Sequence, residues 1–228
     1  MKKIVFTIPL IFFLAVSYGQ KLSQITLTSS SNSDIITFVT GDAITINITN
    51  DGKIIDWGVA YSRGRYGNYP GRLEKYMGRT EYYTENDNEA FRGKVKYIGL
   101  TAFTYYSSYE NEQFKGKLKS IGAIQVDYFT AYDDEAFRGK IKNAGVVSFA
   151  YYGSFGNDAC KGKFKNIGNS TLTYYSSFDD KAYKGKIKSI DTHVFTYYSS
   201  FDRREYQGAM KGFQSEYVIN GIKYFIRN

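Results

Sequence analysis

The chain contains one cysteine, one histidine, one tryptophan and only two prolines in 228 residues. A single Cys160 closes no intrachain disulfide, so the fold must stand without covalent staples. A single His193 leaves nucleophilic catalysis short of its commonest base. Scarce proline beside 23 Tyr and 17 Phe argues for β structure rather than disorder. Long apolar runs are missing too, with one exception. Ile4 to Val16 follows the basic pair Lys2 and Lys3 and precedes Ser17-Tyr18-Gly19. That order reads as a secretory signal peptide cleaved before Gln20. The run is shorter than the roughly 20 apolar residues a transmembrane helix needs. No cysteine follows it to carry a lipid, and no later segment is apolar enough to span a membrane. The mature chain is therefore expected to be exported, to the periplasm, the cell surface or beyond. Its formal charge falls from +8 to +6 once Lys2 and Lys3 are lost. That is moderately basic, and export argues against a nucleic-acid partner.

What the sequence has in abundance is repetition. Gly93, Gly116, Gly139, Gly162, Gly185 and Gly208 stand 23 residues apart. The columns after them recur without insertion or deletion. Lys94, Lys117, Lys140, Lys163 and Lys186 form one, and Lys96, Lys119, Lys142, Lys165 and Lys188 another. Aromatic columns follow: Tyr105, Tyr128, Tyr151, Tyr174 and Tyr197, then Tyr106, Phe129, Tyr152, Tyr175 and Tyr198. Two more close the unit, beginning at Tyr109 and at Phe114, and both are expected to be structural. A degraded copy precedes these units and the pattern dissolves after Gly208, as the ends of a repeat array require. The organisation expected is a leader over 1–19, a β-rich cap over 20–70, the array over 71–213 and a hairpin cap over 214–228. Asn220-Gly221 between apolar runs signals a type I′ turn, and an Asn-Asp-Gly turn ends at Gly52. Arg63 to Arg72 reads as a Gly- and Tyr-rich basic loop.

Each unit alternates at period two over Lys-Ile-Lys and again over Phe-Thr-Tyr, with Gly99, Gly122, Gly145 and Gly168 between. Two strands and a turn per unit predict an all-β fold of about five to six 23-residue β-hairpin units. They can stack in two ways. A parallel β-solenoid puts identical residues about 4.8 Å apart and builds continuous like-charge lysine ladders. An extended antiparallel meander spaces equivalent strands by roughly 9.6 Å and lets lysine stems lie across tyrosine rings. The meander is preferred.

The segments "FKGKLKSIG" and "YKGKIKSID" resemble the opening of the MORN repeat, a β-hairpin unit of similar length. The resemblance covers residues about 91–213, and "FTYYSSF"-like sequence replaces the family's paired glycines. It implies hairpins in a row, with membrane or protein contacts as the family's role. The leader, with Gln directly after the cleavage point, resembles those of exported proteins from Bacteroidetes-type bacteria.

Chemistry is sparse. His193 sits in a column otherwise filled by Thr101, Ile124, Val147 and Ser170, and Cys160 replaces an inward Phe or Tyr. A Cys–His enzyme would have to join two unlike columns, and the preferred reading of Cys160 is a small buried hydrophobe. Acids cluster in the connections at Glu110, Glu112, Asp133 to Glu135, Asp179 and Asp180. Such acids can ligate calcium, hydrolyse glycosides or satisfy turn backbone, and the turn role is favoured because Gly156, Asn157, Lys181, Arg203 and Arg204 interrupt the series. No metal or cofactor is called for.

The candidate ligand surface is Tyr106, Tyr152, Tyr175 and Tyr198 with Lys94, Lys96, Lys117, Lys140, Lys163, Lys186 and Lys188. If the tyrosines and lysines share a face, a groove of rings flanked by cations suits an anionic glycan or lipopolysaccharide. The simpler reading is a single-layer sheet needing large side chains on both faces. The functional expectation is a non-enzymatic envelope binding protein; the alternative is a scaffold or self-assembling protein that contacts itself or a protein partner.

Overall fold

In the computed structural model, residues 20–28, 34–60, 73–110, 112–212 and 216–227 are described. The leader and the basic loop from Arg63 to Arg72 lie outside them. The chain opens with β1 (Lys21–Leu27), β2 (Ile35–Val39), β3 (Ile44–Thr49), β4 (Ile54–Ala60) and β5 (Leu73–Lys75). The repeat supplies β6 (Thr80–Tyr82), β7 (Val95–Ile98), β8 (Thr101–Tyr105), β9 (Leu118–Ile121), β10 (Ile124–Tyr128) and β11 (Ile141–Ala144). It continues with β12 (Val147–Tyr151), β13 (Phe164–Ile167), β14 (Ser170–Tyr174), β15 (Ile187–Ile190) and β16 (His193–Val194). A last hairpin pairs β17 (Glu216–Ile219) with β18 (Ile222–Ile226). No helix among the described residues is long and apolar enough to cross a membrane.

Strands β6 to β16 form one 11-stranded sheet in strict sequence order, and each neighbouring pair is antiparallel. The fold is the meander rather than the parallel solenoid. Two-residue turns join the strands of each hairpin, with Ile98 opposite Thr101. Their first residue has positive φ, +59° at Gly99 and +54° at Gly122, which glycine adopts without cost. The predicted type I′ turn is present, with φ of 50° at Asn220 and 78° at Gly221.

The other sheet has seven strands in the order β17-β18-β1-β2-β3-β4-β5, so both chain ends meet in it. Its β1 and β18 run parallel. This sheet lies over one face of the meander. Ile25, Phe38 and Ile46 from it, and Phe103, Leu118 and Phe164 from the meander, are all 0% exposed in one continuous core. Polar contacts cross between the sheets: Ile141 N–H donates to the Asn50 carbonyl at 2.7 Å, and the Asn220 amide to the Ser170 hydroxyl at 3.0 Å. The meander is therefore not single-layered, and its inner aromatics face a hydrophobic partner.

A β-bulge recurs in each unit. Register slips between Thr104 and Tyr105, Asp127 and Tyr128, Ala150 and Tyr151, and Thr173 and Tyr174. The extra residue on the facing strand lets Leu118 and Ile121, three apart, both point inward and be fully buried. Plain alternation could not place both there. The bulge thereby separates the two lysine columns.

Candidate functional site: lysine and aromatic ladders

Beyond each bulge the chain leaves the sheet in a loop closed by backbone pairing. Tyr106 N–H donates to the Lys117 carbonyl at 2.9 Å, and Gly116 N–H to the Tyr106 carbonyl at 2.8 Å. Gly116 holds a φ of +73°, and a Cβ there would meet the Ala90 carbonyl oxygen at 2.5 Å. Gly116, Gly185 and Gly208 thus serve close approach between successive loops, while all six glycines of the column share a positive φ of 72–76°.

The carbonyl of each such glycine accepts from the lysine of the preceding unit. Lys117 donates to Gly139 at 2.9 Å, Lys140 to Gly162 at 2.6 Å and Lys186 to Gly208 at 2.7 Å. Lys94 donates to Gly116 and Lys163 to Gly185 in the same way. The same ammonium groups lie over Tyr105, Tyr128, Tyr151, Tyr174 and Tyr197, 4.8–5.4 Å from the ring centroids. Lys140 and Lys163 are buried, and desolvation lowers the pKa of all five ammonium groups. This column ties unit to unit and points its charge into the protein.

The Tyr106 column is also tied in. The hydroxyls of Tyr106, Tyr152 and Tyr175 donate to the carbonyls of Val126, Leu172 and Phe195 in the next unit, at 3.2, 2.9 and 2.9 Å. Burial raises the pKa of these three phenols. Tyr198 ends the series and packs against Tyr206, ring centroids 5.4 Å apart. Each ring stands edge-on to the next inner tyrosine, as Tyr175 does to Tyr197 at 5.9 Å.

Over these rings sits the second lysine column. Lys96, Lys119, Lys142, Lys165, Lys188 and Lys211 lie 5.0–6.0 Å from the centroids of Tyr83, Tyr106, Phe129, Tyr152, Tyr175 and Tyr198. Lys142, Lys165, Lys188 and Lys211 are exposed. The outer strand positions beside them are mostly small and polar, including the exposed Thr104, Gln125, Ser148 and Thr171, with the acid Asp127 exposed among them. Of the lysines named from sequence, Lys96 and Lys188 therefore share a surface with the Tyr106 column, whereas Lys94, Lys117, Lys140, Lys163 and Lys186 turn to the inner tyrosines. Lys119, Lys142, Lys165 and Lys211 complete the outward ladder. The sequence showed most of that column but not which lysine of each pair would face water.

The chain matches no protein-family model, and neither curated proteins nor solved structures give a significant match.

The acids of the connections serve the turns. Asp133 accepts from Thr130 N–H at 2.6 Å and from the Thr130 hydroxyl at 2.8 Å. Asp179 and Asp202 repeat the contact with Ser176 and Ser199, both at 2.6 Å from the backbone N–H. Asp134 and Asp180 reach the next unit instead, accepting from Ser154 and Ser200 N–H groups. These hydrogen bonds hold the five carboxylates below their ordinary pKa. Cys160 is buried where other units place a ring, and burial raises its thiol pKa. His193 is exposed in the terminal strand β16.

One column differs from what its sequence suggested. Tyr109, Tyr132, Phe155, Phe178 and Phe201 were expected to be structural, yet they are 91–101% exposed. They ride the tips of the connecting loops, following Ser-Ser, Thr-Ala or Gly-Ser and, in every unit but that of Phe155, preceding the acid that caps the turn. That polar flanking was the sequence signal for exposure.

Proposed function

We propose that this is an exported, non-enzymatic binding protein whose meander offers its outer face to an anionic polymer of the cell envelope, an anionic glycan or lipopolysaccharide. The observation that carries this reading is the outward lysine ladder. Its ammonium groups recur every second strand, a repeat of roughly 9.6 Å, on a face whose other strand positions are mostly small and polar, with the exposed Asp127 and the Glu110 paired with Lys119 among its acids. A polymer with regularly spaced anions can lie flat there and meet successive cations. The rings beneath matter as well: a lysine resting on an aromatic face loses less freedom on binding than one swinging in water.

The scaffold reading is less well supported. Open sheets that grow edge to edge need long free edges, and the meander ends in β6 of three residues and β16 of two. Export is carried by the leader's residue pattern alone.

Binding of the mature chain to lipopolysaccharide and to a sulfated or uronate-rich glycan, titrated against salt, tests the proposal. Affinity should fall steadily as salt rises. No binding to any anionic polymer at low salt would refute it.

A further inference from the structure

We infer that the exposed aromatic row is a second binding site, on a different surface from the lysine ladder, for an extended uncharged polysaccharide. Every other aromatic column has a packing partner or a hydrogen bond that explains it. Tyr109, Tyr132, Phe155, Phe178 and Phe201 have neither, being at least 91% exposed. The position changes from Tyr to Phe between units yet stays aromatic through five consecutive copies. Folding does not require a ring there, since a fully solvated side chain contributes almost nothing to the core.

The arrangement selects among occupants. Equivalent residues lie two strands apart, so neighbouring rings are separated by roughly 10 Å and the row runs for about 40 Å. Rings that far apart make no shared apolar patch of the kind a protein partner or second copy buries. Between Tyr132 and Phe155 lies an open trough of about 670 Å³, lined by Asp133, Asp134, Glu135, Arg138, Ser154 and Lys161. At this point the edge sets a hydrogen-bonding hollow between two isolated rings. An extended β-linked polysaccharide matches that arrangement. Its pyranose rings carry an apolar C–H face for stacking and a rim of hydroxyls, and one sugar spans close to one strand spacing. Every second sugar can stack on a ring while the one between fills the trough.

Charge decides the class of polysaccharide. Three carboxylates in the trough face two cations, and one cation, Lys161, is already paired with Glu135 at 2.5 Å. A polyanion would be repelled here, whereas an uncharged chain can use the same groups as hydrogen-bond partners. The two surfaces thus discriminate by charge, the lysine face taking anions and the aromatic edge taking neutral sugar.

Affinity electrophoresis of the mature chain through gels containing hydroxyethylcellulose, glucomannan, xylan or soluble β-1,3-glucan tests this directly. At least one should retard the protein, and retardation should persist at high salt. The Phe155→Ala/Phe178→Ala variant should bind that polymer at least tenfold more weakly with an unchanged melting temperature. It should also keep any salt-dependent binding of anionic polymer, so that failure of this site and failure of the lysine face read out separately. Absence of retardation in all four gels overturns the inference, as does undiminished retardation of the double variant. Loss of concentration-dependent self-association in the variant, without any polysaccharide effect, overturns it in favour of a second copy as occupant.

Discussion

The ammonium of Lys140 donates to the Gly162 carbonyl, lies 5.2 Å from the centre of the Tyr151 ring and is itself only 8% exposed. Truncating it to alanine leaves a carbonyl short of its donor and a hollow against the ring. The expected cost is about 1–3 kcal/mol by denaturant unfolding, against little change for Lys142→Ala, whose side chain is exposed. Gly116 carries the same junction on its backbone side. Gly116→Ala combines a left-handed φ with a Cβ driven against the Ala90 carbonyl, and should cost about 1–3 kcal/mol. Asp34 presents a different case. It is 2% exposed, and desolvation raises its pKa to about 7 despite hydrogen bonds from Thr28 and the nearby Lys163 and Lys140. Its folded pKa lies above the unfolded value of 3.8, so the native state favours the protonated form. Its contribution is fully present below pH 3.8 and declines as pH rises to about 7, by on the order of 4 kcal/mol. Asp34→Asn should flatten that slope and be more stable than the wild type above pH 7. Equal pH slopes for the two proteins in unfolding titrations would show that Asp34 stays solvated.

At the scale of the element, the unit is a hairpin, a bulge and a capped loop. The hairpin and the loop were legible in the sequence because their signals are local: glycine where φ is positive, Ser or Thr three residues before an acid. The bulge was not. "KGKIKSI" reads as simple alternation, which puts the lysines of a unit on one face. The slip in register sends Lys186 inward to Tyr197 and Lys188 outward over Tyr175. Simple alternation therefore puts lysines of both columns in one candidate site, and the bulge divides them. Phe178 misled for the related reason that aromatic residues in a repeat ordinarily answer to its core, whereas this one follows the turn. The loops also join one unit to the next, and Asp134 shows how: it accepts from the Ser154 N–H at 2.9 Å and from its hydroxyl at 2.5 Å. Asp134→Ala should destabilise the protein by about 1–2 kcal/mol, with hydrogen exchange accelerating first at Ser154. Protection lost evenly across all units would argue against a local cap.

For the whole molecule, the period of 23 specified the meander but said nothing about what covers it. That cover comes from the two chain ends, whose union through the parallel pairing of β1 and β18 is a long-range event no local pattern announces. Covering one face leaves the other, with its lysine ladder, as the broad surface facing water. The paired test sets the outward column against the inward one. Lys142→Gln/Lys165→Gln/Lys188→Gln should abolish salt-dependent binding of anionic envelope polymer at an unchanged melting temperature, while Lys117→Gln/Lys140→Gln should lower the melting temperature. An outward triple variant that binds the polymer as tightly as the wild type would contradict the lysine face as the binding surface.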